Sequence, residues 1–478
     1  MAKDIKFKQK RIFEAPEDFS KRNVHEDIHT YRSNFQRDRD RILYSKPFRR
    51  LNGKTQVFLP HAHDHLRDRM THTLEVSQIA RVTAKNLGLN AELTEAIALA
   101  HDLGHTPFGH VGENSLNFIM NECEELYKKN ILKDKDKGFK HNWQSVRICC
   151  DLNKIYPNIR GLNITNFTLL GILIHSSTSW NKTCSCFDEG KCYLNSTSQE
   201  CSCFGSLSTS FYEPYKRYLY ANNNNGYAWS FEGEVVGISD EIAQRHHDIE
   251  DAYIMDILKR KDIIDIIETY FNKLLKKEDR ENLNKANNNE AYFVSLISKF
   301  LVHLYNRNLI DYSKKQLTNL ANEYNIKNKR DFKIFYQDID TNTIEKCIDF
   351  NPEFKEAENN FKEFLKNTIL NSSWVQRMDG KGLYVIRKIF QAYLTNPKQL
   401  HDNTILSTFN NYNNTNLDIN MISKPDLGKY RNKIGSPEYK KCETFQIALL
   451  RSICDHISGM TDNFILSEYT RLYGEKSL

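Results

Sequence analysis

Two histidines and two aspartates have the types and spacing to do chemistry: His72, the adjacent pair His101 and Asp102, and Asp240 far downstream. Neutral imidazole nitrogens with carboxylate oxygens make a mixed donor set that suits Mn²⁺, Fe²⁺, Co²⁺ or Mg²⁺ and serves soft metals poorly. Taken singly, such residues are equally compatible with buried polar positions or solvated helix caps. The setting of the pair decides for chemistry. From His101 to Glu113 the chain reads His-Asp-Leu-Gly-His-Thr-Pro-Phe-Gly-His-Val-Gly-Glu, with three His, two acids and three Gly. Imidazoles and carboxylates cost free energy in a core unless they are paired or metal-bound.

The elements that must position these residues are helices. Leu74, Val76, Ile79, Ala80, Val82 and Thr83 recur mostly at three- and four-residue steps, as on a buried helix face, and Gly88 supplies a stop. A second helix is expected from Asn90 through Leu93, Ile97, Leu99 and Ala100 into His101 and Asp102, ending near Gly104. Neighbours on a helix diverge by about 100°, yet His and Asp side chains are long enough to converge on one ion. Further helices are expected at 144–153, 165–175, 233–257, 260–276, 290–307, 314–324, 353–370, 382–394 and 441–458, rich in Leu, Ile, Phe and Lys without strand alternation. The expected fold class is all-α. The Asn-rich runs at 222–225, 287–289 and 410–416 read as surface loops. The expected division is an N-terminal helical arm over 1–50, a catalytic core over 51–310 and a C-terminal helical region over 311–478.

Composition narrows the class of partner. With 40% hydrophobic residues, 27 Phe and 24 Tyr, the chain has ample material for a large core. A net charge of +6, from 67 basic and 61 acidic side chains, is far below that of a nucleic-acid coat and suits an enzyme with a small anionic substrate. Met1 to Arg11 lack the apolar stretch of a secretory signal and no window approaches a bilayer span, so a cytoplasmic protein without a membrane partner is expected. Its eleven Cys are then expected to stay reduced. Cys184, Cys186, Cys192, Cys201 and Cys203 form a polar insert at 184–203, which either holds a structural Zn²⁺ through four thiolates or carries free loop thiols.

The blocks Ser45–Leu51, Lys54–Phe58, Arg67–Val76, Ala96–Glu113, His141–Ser145, Glu234–Ala252 and Ile457–Asp462 resemble the HD-domain deoxyguanosinetriphosphate triphosphohydrolase (dGTPase) family, which includes vertebrate enzymes that destroy deoxynucleotides. The resemblance implies an HD-domain helical bundle that splits dNTPs, dGTP foremost, into deoxynucleoside and tripolyphosphate. It makes His72, His101, Asp102 and Asp240 the metal ligands, His110 the catalytic histidine, and Glu113 the residue that orients it. A first-turn carboxylate facing a helix dipole is the other reading of Glu113. His105 and Arg69 match phosphate-facing groups; Gln56 and Asp248 match positions that hydrogen-bond the sugar 3′-hydroxyl.

Two positions depart from the family. Gln244 stands where it usually places a Tyr against the deoxyribose, and the segment Ile172–Ser176 lacks its usual Lys-Tyr pair, leaving His175 as a substitute. The resemblance further implies a homo-oligomer, hexamer or tetramer, with control by an allosteric nucleotide. Hydrolysis of a nucleoside monophosphate or an alarmone is the alternative within HD enzymes. A nucleotide sensor or single-stranded nucleic-acid binder is the alternative from another class, which the intact His110/Glu113 pair disfavours.

Overall fold

The computed structural model describes residues 11–176 and 213–474, apart from 28, 59–62, 123–125, 127–130, 134–135, 154–155, 157–158, 220–227 and 339–346. The polar insert with Cys184, Cys186, Cys192, Cys201 and Cys203, and the Asn run at 222–225, lie outside the described residues. The fold is all-α. Among the described residues β pairing is limited to one isolated bridge, between Thr55 and Asp68.

The helices that carry the argument are α1 (Asn34–Leu43), α2 (Arg69–Leu87), α3 (Ala91–Ala100), α4 (Gly109–Met120), α5 (His141–Arg147), α6 (Asn166–Ile174), α7 (Phe231–Ile254), α8 (Phe293–Glu323), α9 (Pro352–Leu365), α10 (Ser373–Thr395), α11 (Asp402–Asn413), α12 (Glu443–Ser458) and α13 (Asp462–Tyr473). Their starts follow from side chains that satisfy otherwise unpaired N–H groups. Asp68 accepts from Thr71 N at the head of α2, Asn90 from Glu92 N and Leu93 N at α3, and Ser230 from Gly233 N at α7. Helix α2 ends at Gly88 in the left-handed conformation, φ 73°, which glycine adopts without penalty.

Helix α3 is buried on nearly every side and packs against α1, α2, α6 and α7. One apolar core gathers Val76 and Ile79 from α2, Leu93 and Ile97 from α3, Phe167 and Leu170 from α6, and Val235 and Ile249 from α7. It continues through Leu301 and Leu317 of α8 to Phe361 of α9. A second core joins Leu116 and Ile119 of α4 to Ile386, Ile389 and Phe390 of α10, Phe409 of α11, Leu450 and Ile453 of α12, and Ile465 of α13. Helix α4, which follows the histidine-rich segment directly, is thus anchored by the C-terminal helices.

Expected and observed helices differ most plainly where Gly109–Met120, Lys277–Asn287, Lys329–Asp338, Lys424–Ile434 and Asp462–Tyr473 form helices that were not expected, and in two further places. The segments at 290–307 and 314–324 are one continuous helix, α8: no Gly or Pro interrupts the join, and Leu309 and Ser313 within it are buried. The run at 410–416 is not wholly loop, because α11 extends through Asn413 and closes on Asn414 at φ 53°, a conformation Asn tolerates better than most residues.

The segment between α3 and α4 is clamped from both ends of the chain. Gly104 N donates to Ser145 Oγ (2.8 Å), which donates to His101 O (2.9 Å). A Cβ at Gly104 would stand 2.2 Å from His141 O, so only glycine lets the segment lie on α5. Lys54 Nζ donates to His105 O and, at 2.9 Å, to Ser458 O. Asp462 accepts from Phe108 N (2.9 Å), from Thr55 N (2.7 Å) and from the Thr55 hydroxyl. Asp462→Ala would leave these buried donors unpaired at about 1–3 kcal/mol each. Its thermal midpoint should fall by several degrees and that of Asp462→Asn by less; equal midpoints for wild type and Asp462→Ala would refute the clamp.

Candidate active site

Helix α2 contributes His72, the C-terminal end of α3 contributes His101 and Asp102, and α7 contributes Asp240. His72 Nε2 lies 2.8 Å from Asp240 Oδ1, and His101 Nε2 lies 3.4 Å from Asp102 Oδ1 and 3.8 Å from Asp240 Oδ1. Ligand atoms of His72, His101 and Asp102 all fall within 4.8 Å of one another. The donor chemistry fits a divalent cation. His101 Nδ1 meets the Ala98 carbonyl at 2.7 Å; that oxygen only accepts, so the ring proton sits on Nδ1. Nε2 is left bare, buried and without a hydrogen-bond partner, as a metal-binding imidazole with an outer hydrogen bond should be.

Asp102 is shared. Arg69 donates to its Oδ2 at 2.6 Å, and His105 Nε2 lies 3.2 Å from its Oδ1. Burial alone would raise this carboxyl, but His101, His105 and Arg69 outweigh it and hold it well below the ordinary range. Arg69 keeps Nε and one terminal nitrogen unpaired, and His105 keeps Nδ1 unpaired, all buried.

Beside this cluster Glu113 accepts at 3.0 Å from both the backbone N and the Nδ1 of His141. His110 lies further from it, with Nδ1 at 3.5 Å, and its side chain is 67% exposed. Burial would raise the Glu113 carboxyl; the His141 charge and hydrogen bonds from His110 and His141 reverse this and hold it well below its usual value. The rings of His105 and His141 stack at 3.9 Å between centroids, and His141 Nε2 lies 3.2 Å from His175 Nε2. Burial, with the neighbouring His101 and His141, lowers His175 to about 3, so this ring is neutral at ordinary pH.

Gln56 stands in the loop ahead of α2, and Asp248 lies two turns beyond Asp240 on α7. Gly109, at φ 60°, brings the Gln56 backbone and the Arg69 guanidinium close to the first turn of α4. Gln56 Oε1 and Asp248 Oδ1 are both buried without a partner. Burial, opposed by Arg245, pushes the Asp248 carboxyl up to about 7. Gln244 is half-buried on α7, one turn beyond Asp240. The structure brings in three residues to which sequence reasoning gave no role: His141, Lys54 and Asp462. All three lay in recognised blocks, but their partners are visible only in the folded chain.

Helical bundle and His/Asp cluster together define an HD-type, metal-dependent phosphohydrolase. Residues 69–158 match the HD domain family and residues 348–414 match the phosphohydrolase-associated domain. The chain is 32% identical to a deoxyguanosinetriphosphate triphosphohydrolase-like protein of Pelagibacter ubique over 91% of its length and 92% of the relative's. It is 30% identical to one of Leptospira interrogans (94% and 91%) and 29% identical to one of Nitrosomonas europaea (95% and 94%). It belongs to this family of deoxyguanosinetriphosphate triphosphohydrolase-like proteins. Among the described residues, no helix is long and apolar enough to cross a membrane.

The raised Asp248 carboxyl has a measurable consequence. Its folded value of about 7 exceeds its ordinary 3.8, so the stability it favours at low pH is lost as pH rises through this window. The upper bound is about 4 kcal/mol. Asp248→Asn should therefore raise the thermal midpoint of the unliganded protein more at pH 8 than at pH 4; a pH-independent difference would contradict the assignment.

Proposed function

We propose that the protein hydrolyses deoxynucleoside triphosphates, dGTP foremost, at the α-phosphate, releasing deoxynucleoside and tripolyphosphate. One observation carries this reading: unpaired buried polar atoms surround the His/Asp cluster, namely His101 Nε2, His105 Nδ1, Arg69 Nε and NH2, Gln56 Oε1 and Asp248 Oδ1. Each costs about 1–3 kcal/mol if nothing takes it up, and together they ask for a cation, an anion and a hydroxyl. A metal-held polyphosphate on a sugar supplies all three.

In this reading His72, His101, Asp102 and Asp240 hold one divalent cation, Mn²⁺, Mg²⁺, Co²⁺ or Fe²⁺. When bound it supplies Lewis-acid polarisation of a phosphoryl oxygen and a more acidic water. Arg69 donates its free guanidinium edge to the phosphates; its contact with Asp102 fixes the direction of that edge. His105 adds a second phosphate-facing group. His110 is the exposed imidazole beside the cluster and delivers a proton to the departing sugar oxygen, while Glu113 and His141 orient it and keep a compensating charge nearby. Gln56 and Asp248 bind the 3′-hydroxyl, and Asp248, protonated or ionised near neutrality, can donate or accept there. Gln244 in place of a ring loosens discrimination against a 2′-hydroxyl.

We further propose a homo-oligomer, hexamer or tetramer, in the cytoplasm and under nucleotide control, with single-stranded nucleic acid as a further ligand. The family resemblance supports the oligomer and the nucleotide control; single-stranded nucleic acid comes from the alternative reading of the chain as a binding protein. The division into arm, core and C-terminal region at 50/51 and 310/311 rests on shifts of charge and composition along the chain. A structural Zn²⁺ at Cys184–Cys203 rests on the thiol spacing.

Incubation of the purified protein with each dNTP and Mn²⁺ or Mg²⁺ should yield tripolyphosphate by ion-exchange chromatography; pyrophosphate or orthophosphate as the first product would refute the reaction. His110→Ala should lower kcat by on the order of a hundredfold with metal content unchanged. A wild-type kcat with poor dNTP affinity would instead make His110 a substrate ligand.

A further inference from the structure

His72 has a second partner that the proposed chemistry leaves unused. Its Nδ1 lies 3.1 Å from Nδ1 of His247, both rings are buried, and their planes stand at 72°. The Nε2 of His247 in turn makes a short hydrogen bond with Glu75 Oε2. With Asp240 beside His72 Nε2, two imidazoles run in series between two carboxylates.

Counting protons gives this series a direction. Two neutral imidazoles carry two protons over four ring nitrogens, and one of the two must lie between the facing Nδ1 atoms. The other sits either on His72 Nε2, against Asp240, or on His247 Nε2, against Glu75. In the first case the His247 lone pair is pressed on a carboxylate and His72 has no nitrogen to offer a cation. In the second, His72 Nδ1 donates to His247, His247 Nε2 donates to Glu75, and a bare His72 Nε2 faces Asp240 across 2.8 Å, a repulsion that a cation relieves. His101 needs no such arrangement, because its outer partner is the Ala98 carbonyl, which only accepts.

We propose that His247 and Glu75 are positioning residues for the cation site, a two-step relay that fixes the Nδ1–H tautomer of His72. This rests on the reading of His72 as a cation ligand. Glu75 is held by Arg67, whose Nε lies 3.4 Å from Oε1, and lines a cavity of about 750 Å³ between α2, α7 and α8. The relay therefore begins at the surface and ends inside the site. A second metal on Glu75, His246 and His247, whose ligand atoms also fall within 4.8 Å of one another, competes with it. That metal would need the His247 Nε2 lone pair, which the relay covers with a proton, and would sit against the Arg67 guanidinium.

The test is Mn²⁺ binding by calorimetry to the full chain, with helical content followed by circular dichroism. Loss of an outer hydrogen bond typically weakens metal binding 10–100-fold, and Glu75→Leu should do so with its helices intact. His247→Gln offers His72 an amide carbonyl that accepts whatever stands at position 75. In that background Glu75→Leu should change affinity less than about threefold. In the Mg²⁺-loaded wild type, ring ¹⁵N shifts should show His72 protonated at Nδ1; in Glu75→Leu they should show mixed tautomers. Wild-type Mn²⁺ affinity in Glu75→Leu, or equal losses in both backgrounds, would overturn the relay. So would a second equivalent of Mn²⁺ that vanishes with Glu75. Wild-type affinity in His72→Ala would overturn the cation reading itself, and the relay with it.

Discussion

The carboxylate of Asp102 is the point to which the surrounding structure answers. It is buried at the end of a helix that is itself apolar on nearly every side, where an unpaired charge costs several kcal/mol. Arg69 meets one oxygen; His101 and His105 meet the other. Because Arg69 is the first residue of α2 and its backbone N donates to Lys54 O, the charge of Asp102 ties the head of α2, which Asp68 caps, to the end of α3. Through Lys54 it fixes the preceding loop as well.

Histidine chemistry in so enclosed a place depends on tautomers, and the fold sets them by two means. His101 and His175 each face a backbone carbonyl one turn earlier, Ala98 O at 2.7 Å and Ile172 O at 2.6 Å. Both are thereby left with a buried Nε2 lone pair directed at neighbouring side chains. His141 faces a carboxylate and His72 faces another imidazole. The first two are secured by local helix geometry, the others only by contacts between distant parts of the chain.

This difference explains how much could be read from the sequence. The helix start at Asn90, the stop at Gly88 and the apolar faces of α2 and α3 were legible because each depends on residues a few positions apart. The join within α8 was not, since the polar residues around Asp311 resemble a break until Leu309 and Ser313 are seen to be buried. The proximity of His101, Asp102 and His105 was implied by their spacing. The pairing of Glu113 with His141 rather than chiefly with His110 was hidden, because His141 belongs to a different helix and nothing near it in the chain marks its partner. His247 was hidden for the same reason.

The clamp on the segment between α3 and α4 also orders events in time. Phe108 N and Thr55 N find their acceptor in Asp462, and Lys54 reaches Ser458, residues that a ribosome adds 354 to 407 positions after their partners. The histidine-rich segment cannot take its final shape until α12 and the head of α13 have emerged. A chain that stops before residue 462 therefore lacks the acceptor of Phe108 N and Thr55 N, and the histidine-rich segment loses that hold.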